Sequence, residues 1–286
     1  DHDPGGEHLD AAQFDRAWRV FEPFYRELGV DRPEPPARFH PGYDEQVDAL
    51  LEARPPVFSF VFGVPSPAVM QACRARGILT VGTATSVAEA EALDAAGVDA
   101  IVATGAEAGG HRVSWLERAE DSLMGTFALV QLVADRVRAP VIAAGGIADA
   151  RGVRAALTLG AQAAQIGTAF LACDESGTTD AHRAILFGPQ AHRTRLTRAF
   201  TGRLARGVRN RWIETFETRQ HELPPFPVTS WFVSNLRAAA RAAGDTGLVS
   251  LWCGQIAPNL RHRRAAELMQ ALHDGLASAP RSSSAN

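Results

Sequence analysis

The sequence contains no lysine; all 29 of its basic residues are arginine. This excludes a lysine Schiff base, a Walker-type phosphate lysine and a lysine-anchored pyridoxal cofactor. Cysteine is scarce. Cys73, Cys173 and Cys253 are odd in number and far apart, and no C-x-x-C or metal-ligand spacing occurs. That argues against a disulfide framework and leads us to expect a reducing, cytoplasmic compartment. H-E-x-x-H is absent, so no metal is expected. Neither a G-x-G-x-x-G following a strand nor a G-x-S-x-G elbow is present, so neither a Rossmann nicotinamide site nor a hydrolase nucleophile is indicated. No long apolar run and no signal-type segment occur, and no membrane span is expected. With 21% charged residues and a net charge of −3, nothing favours attraction to nucleic acid or an anionic membrane. The arginine-rich stretch 193–211 lacks the interleaved aromatics of strand binders and reads as a solvated or packing face.

The 286 residues, 46% hydrophobic, suffice for one large barrel-type domain, or one domain with a smaller lobe. In the middle of the chain, short β-branched runs alternate with helical stretches, which predicts an α/β fold with parallel strands. Strands are expected at 57–62, 80–83, 98–103, 140–144 and 163–166, with helices at about 67–76, 86–97, 125–138 and 150–159. Ser86 with Glu89 has the spacing of a capping box, and Gly97 and Gly160 stand where helices should stop. These five βα units fall short of the eight of a closed barrel. An amphipathic helix is expected over about 11–28, followed by a proline-rich connection. We divide the chain into barrel units at 1–177, a mainly helical lobe at 178–245, a closing segment at 246–276 and a disordered tail at 277–286.

Two constellations carry chemistry. The first is Thr104-Gly105-Ala106-Glu107-Ala108-Gly109-Gly110-His111-Arg112, directly after a predicted strand. In a parallel α/β barrel such loops build the active-site face. Gly109 and Gly110 let the backbone approach a flat or phosphorylated ligand, and His111 sits beside them with a side chain that can accept a proton near neutrality. A plain tight turn with a surface histidine would produce the same short string. The second pairs the strand and turn ending in Gly145-Gly146 with Gln165-Ile166-Gly167-Thr168. Glycine turns and a helix N-terminus in successive loops form a phosphate cradle, which many barrels use for sugar phosphates. Plain turn glycines are the alternative.

Five ordered motifs together resemble one family: GAEAGGHR, DSLMGTFALV (121–130), PVIAAGGIADARGV (140–153), AQIGTAFLACDES (164–176) and TRAFTGRLARGVRNR (197–211). The chain is similar to class I nitronate monooxygenases from about Phe14 to Leu276. The resemblance implies a TIM (β/α)8-type barrel with an additional lobe, a bound FMN and a nitronate substrate oxidised with O2. It places His111 at the catalytic-base position and Gly109 beside the flavin. Thr104, Gly110, Gly145, Gly146, Gln165, Ile166, Gly167 and Thr168 complete the implied cofactor contacts. Thr104 replaces the family's usual glutamine, and Gln131-Leu132 replaces its usual Pro-Gln. The family's first three strands find no counterpart, so the chain is expected to carry the equivalents of strands 4–8. Two other readings stay open: a related flavin-type enoyl-acyl-carrier-protein reductase, and a non-catalytic chain that binds a phosphorylated ligand or a partner. A small-molecule substrate is expected on the first two, and a homo-oligomer is compatible with all three.

Overall fold

The computed structural model describes residues 8–277. The polar C-terminal tail expected from the sequence lies outside the described residues, apart from Ala277, which ends the last helix.

In chain order the elements are α1 (Ala11–Glu27), α2 (Tyr43–Ala53), β1 (Val57–Phe60), α3 (Pro67–Ala75), β2 (Leu79–Ala84), α4 (Val87–Ala96), β3 (Ala100–Thr104), β4 (Gly110–His111), α5 (Thr126–Ala134), β5 (Val141–Ala144), α6 (Ala150–Thr158) and β6 (Ala163–Gln165). There follow α7 (Thr168–Leu171), α8 (Asp180–Leu186), β7 (Thr194–Thr197), β8 (Ala205–Val208), α9 (Arg211–Phe216), α10 (Val228–Ala242) and α11 (Ala265–Ala277). Five strands form one parallel sheet in the order β1-β2-β3-β5-β6. These are the five strands expected from the periodicity, with ends that differ by one or two residues. Each is followed by a helix, the βα repeat of an α/β barrel. Among the described residues, β1 and β6 are the free edges. No helix of the described residues is long and apolar enough to cross a membrane.

The local signals explain the repeat. Ser66, Ser86 and Asp149 cap α3, α4 and α6 with their side chains, removing one orphan N–H from each helix start. Gly97 ends α4 with φ +73, a conformation that favours glycine. The expected capping box at Ser86 is only half made. Ser86 Oγ accepts from Glu89 N, but the Glu89 carboxylate, fully buried, accepts instead from Thr85 N at 2.7 Å and Trp115 N at 2.6 Å. A buried carboxylate needs several donors, and Thr85 and the loop after β4 supply two each.

The core of the parallel sheet lies between the strands and α4–α6, around Leu93, Ile101, Leu129, Val133 and Val141. A second core is aromatic and sits elsewhere. Phe14, Phe21, Phe24 and Tyr25 of α1 pack with Trp212, Phe216 and Phe232 of α9 and α10. Phe24 and Trp212 have ring centroids 4.5 Å apart, and Phe21 and Phe232 4.8 Å, within the range of favourable ring pairs. So α1, grouped with the barrel units on sequence order, shares its core with the lobe. The lobe, expected to be mainly helical, also carries the antiparallel pair β7–β8. That pair takes up β4 as a third strand, with His111 opposite Ala205. Trp252 in the closing segment bridges to Gly207 on the same sheet.

Candidate active site

A cavity of about 780 Å³ opens at the C-terminal ends of β2, β3, β5 and β6, the end of a parallel sheet at which ligands bind. Nine of the ten residues expected at the site line it: Thr104, Gly109, Gly110, His111, Gly145, Gly146, Gln165, Gly167 and Thr168. Ile166 does not. It packs among Ala148, Ala169 and the apolar residues behind the sheet. Side chains alternate sides along extended backbone, so Gln165 and Ile166 cannot both face the cavity.

The glycines account for the shape. A Cβ on Gly145, where φ is +99, would stand 2.9 Å from Thr126 Oγ1 and 3.1 Å from Gly105 O. A Cβ on Gly109 would stand 2.6 Å from Gly254 N and 2.7 Å from Cys253 C. At Gly110 and Gly167 it would meet open space. The first pair lets three loops touch, and the second leaves backbone facing the cavity uncovered. The two helix starts differ. Asp149 closes the N-terminus of α6 by accepting from Gly152 N at 3.0 Å. Burial alone would raise its carboxyl, but the bonds from Gly152, Arg151 and Asn259 outweigh this and hold it at about 2. No side chain caps α7 at Gly167. The donors that face the cavity for an anion are therefore backbone groups of the two glycine loops, with the Gln165 amide and the Thr168 hydroxyl beside them.

Buried polar groups the sequence reading did not single out brace these loops. Arg112, 1% exposed, donates to Thr104 O at 3.0 Å, Gly105 O at 2.8 Å and Ser122 O at 2.9 Å. Glu107 accepts from Thr126 N at the start of α5, and the Thr126 hydroxyl lies 2.9 Å from both Glu107 Oε2 and Gly145 O. Gln255 N donates to Glu107 O at 2.9 Å, and Gly254 N to Thr168 Oγ1 at 3.0 Å. The chain segment at 252–255 is thus tied to both constellations. Trp252 and Cys253 line the cavity as well; burial raises the Cys253 thiol to about 12, so it stays protonated.

His111 ends the loop. Its ring lies 5.5 Å from that of Trp252 and 6.4 Å from that of Phe62, and its Nε2 is 2.9 Å from Thr201 Oγ1. Burial, and then the positive charge of Arg203, lower its pKa from 6.5 to about 4. The imidazole is therefore neutral near pH 7 and able to accept a proton. Arg203 lies 4.0 Å from the Phe62 ring centroid and 4.1 Å from that of Phe226. Thr201 and Arg203 belong to the β7–β8 connection. Neither Thr194–Thr197 nor Ala205–Val208 alternates apolar and polar residues, so the sequence pattern gives no signal for this hairpin.

A family model described as nitronate monooxygenase matches residues 12–275. The chain is 42% identical over 283 residues to a nitronate monooxygenase of Pseudomonas aeruginosa, covering 96% of this chain and 79% of that protein. Among solved structures, a nitroalkane oxidase from Streptomyces ansochromogenes superposes with a TM-score of 0.86 at 38% identity, over 95% of this chain and 78% of that one. FabK from Thermotoga maritima superposes with a TM-score of 0.68 at 29% identity, over 83% of this chain and 73% of that one. The five parallel βα units are those of a TIM-barrel-type enzyme, and the chain belongs to the nitronate monooxygenase family.

Proposed function

We propose that the protein catalyses FMN-dependent oxidative denitrification of alkyl nitronates, such as propionate 3-nitronate, with O2, and that His111 is the base that first deprotonates neutral nitroalkanes. The observation that carries this reading is the meeting of His111 with both glycine loops in one cavity. Glycines whose Cβ would block a loop contact, beside others whose backbone stands open, fit a ligand with a flat ring and a phosphate. Gly145, Gly146, Gln165, Gly167 and Thr168 would hold the phosphate end, and Thr104, Gly109 and Gly110 the ring end beside His111. When bound, FMN supplies the electron acceptance and the reaction with oxygen. The remaining work falls to side chains of this chain. The neutral imidazole takes the α-proton of a nitroalkane, leaving a nitronate anion and an imidazolium. The C–H electron pair passes into the C=N bond, and the negative charge comes to rest on the nitro oxygens. Arg203 lies beyond the Phe62 ring; its charge opposes the imidazolium and favours the nitronate.

The test is direct. Protein incubated with FMN and desalted should stay yellow, and should consume O2 and release nitrite with propionate 3-nitronate. A colourless protein that consumes no O2 with a nitronate would refute the proposal. The likeness to FabK supports one competing reading, the flavin-type reductase. Rapid NADH oxidation with an enoyl thioester, and none of the nitronate reaction, would establish that reading instead.

The depressed His111 pKa sets a pH profile. The base form persists to lower pH than for an ordinary imidazole, so kcat/KM for a neutral nitroalkane should hold down to about pH 5 and fall with an apparent pKa near 4. An acid limb at 6.5, the ordinary imidazole value, would show that the ring is not buried beside a positive charge.

A further inference from the structure

The Thr201 hydroxyl lies at the junction of three groups. It is 2.9 Å from His111 Nε2, 3.2 Å from Arg203 O and 3.2 Å from Arg203 N. A threonine hydroxyl has one proton and two lone pairs. Arg203 N–H can only donate, so it takes one lone pair. Arg203 O can only accept, so it competes with Nε2 for the single proton. If the proton goes to Arg203 O, the second lone pair accepts from Nε2–H, and all four groups are satisfied. If it goes to Nε2, Arg203 O loses this bond and one lone pair is idle. The ring proton must then sit on Nδ1 of a ring that is half-buried in the cavity wall. Thr201 is 8% exposed, which leaves little room for water to make up the loss.

We infer that Thr201 fixes His111 in the Nε2–H tautomer, so that Nδ1 is the atom that takes the substrate proton. Thr201 is then a positioning residue: it touches His111, and acts on substrate only through it. The surrounding turn holds the hydroxyl in place. Gly202 has φ +82 and packs so closely that a Cβ would stand 2.5 Å from Phe226 N. Gly202 N donates to Arg198 O at 2.8 Å, and Arg198 Nη1 returns a bond to Gly202 O at 3.0 Å. Arg198 is itself clamped by both oxygens of Glu120, at 2.9 and 3.1 Å. On the other side, pairing with Ala205 fixes the His111 backbone. The ring is thus set by a strand of the small sheet, and the hydroxyl by the connection between the other two.

The part of this inference that concerns proton abstraction rests on the reading of His111 as a base; the tautomer does not. Long-range 1H–15N correlation on the 15N-histidine-labelled full chain at pH 7 should show His111 with Nε2 protonated and Nδ1 bare. Thr201→Val should remove that preference. It should also lower kcat for a neutral nitroalkane by about 10–100-fold, part of the about 10²–10⁴-fold that a positioned base contributes. KM should stay within about 3-fold, and so should turnover of a preformed nitronate. Thr201→Ser should restore both the spectrum and kcat. A wild-type His111 protonated on Nδ1 would overturn the assignment, whatever the variants do. Equal loss on both substrates, or no rescue by serine, would overturn the positioning role. If wild type turns over neither substrate, the functional reading fails, and the spectrum still decides the tautomer.

Discussion

Replacing His111 with asparagine should lower kcat/KM for a neutral nitroalkane such as nitroethane by about 10²–10⁴-fold, the range for loss of a general base. That corresponds to about 3–5 kcal/mol of barrier. Turnover of the preformed nitronate should change by less than about 10-fold, because its α-proton is already gone. Asparagine is a suitable probe. Its amide ends where Nδ1 stands and falls short of the Thr201 hydroxyl, which lies 2.9 Å from Nε2 in the native site, and it cannot take a proton. The fold should tolerate the change. The imidazole is neutral in the native protein, so no ion pair is broken and no buried charge is left behind. Oxygen consumption measured with both substrates, each across a full concentration series, separates the outcomes. Equal losses on the two would mean that the ring positions substrate or cofactor and moves no proton.

What the sequence made legible is local. The βα units could be read because each is punctuated within a few residues, by Ser86 and Gly97 around α4 or by Asp149 and Gly160 around α6. The glycine loops could be read because they follow those strands directly. Groups brought in from a distance could not. Thr201 is separated from His111 by 90 residues in the chain, and the bond between them exists only because β4 joins β8. Nothing within residues 104–112 announces that pairing. Trp252 and Gly254 reach the site in the same way, through a bridge to Gly207 and a bond to Thr168. The placement of α1 shows the same limit. Its amphipathic pattern gives the buried face, Phe14, Phe21, Phe24 and Tyr25, but not the partner that covers it. Glu89 is a subtler case, because the box spacing was present and a stronger set of donors, Thr85 and Trp115, captured the carboxylate.

Gly109→Ala is expected to abolish stable FMN binding, although the added group is a single methyl. Its φ lies outside the left-handed region, so alanine can adopt it. The obstacle is packing. The new Cβ would stand 2.6 Å from Gly254 N and 2.7 Å from Cys253 C, both backbone atoms with no rotamer to change. Relief requires the 105–110 loop and the 252–255 segment to part. The bond between Gln255 N and Glu107 O and that between Gly254 N and Thr168 Oγ1 hold them together. Overpacking of this kind costs about 1–3 kcal/mol, and each bond lost adds about 1 kcal/mol. Because both segments line the cavity, that energy is set against ligand binding, and each 1.4 kcal/mol is about tenfold in Kd. A loss of about 10²–10³-fold in FMN affinity follows, with a lower melting temperature. Gly110→Ala is the control. Gly110 has φ +78 and open space around the Cβ position, so the cost there is backbone strain of about 1 kcal/mol and a loss of only about fivefold. Fluorescence titration with FMN and thermal melting of the two variants side by side distinguish close packing from backbone strain. If Gly109→Ala binds FMN as tightly as wild type, the contact between these segments does not shape the cofactor site.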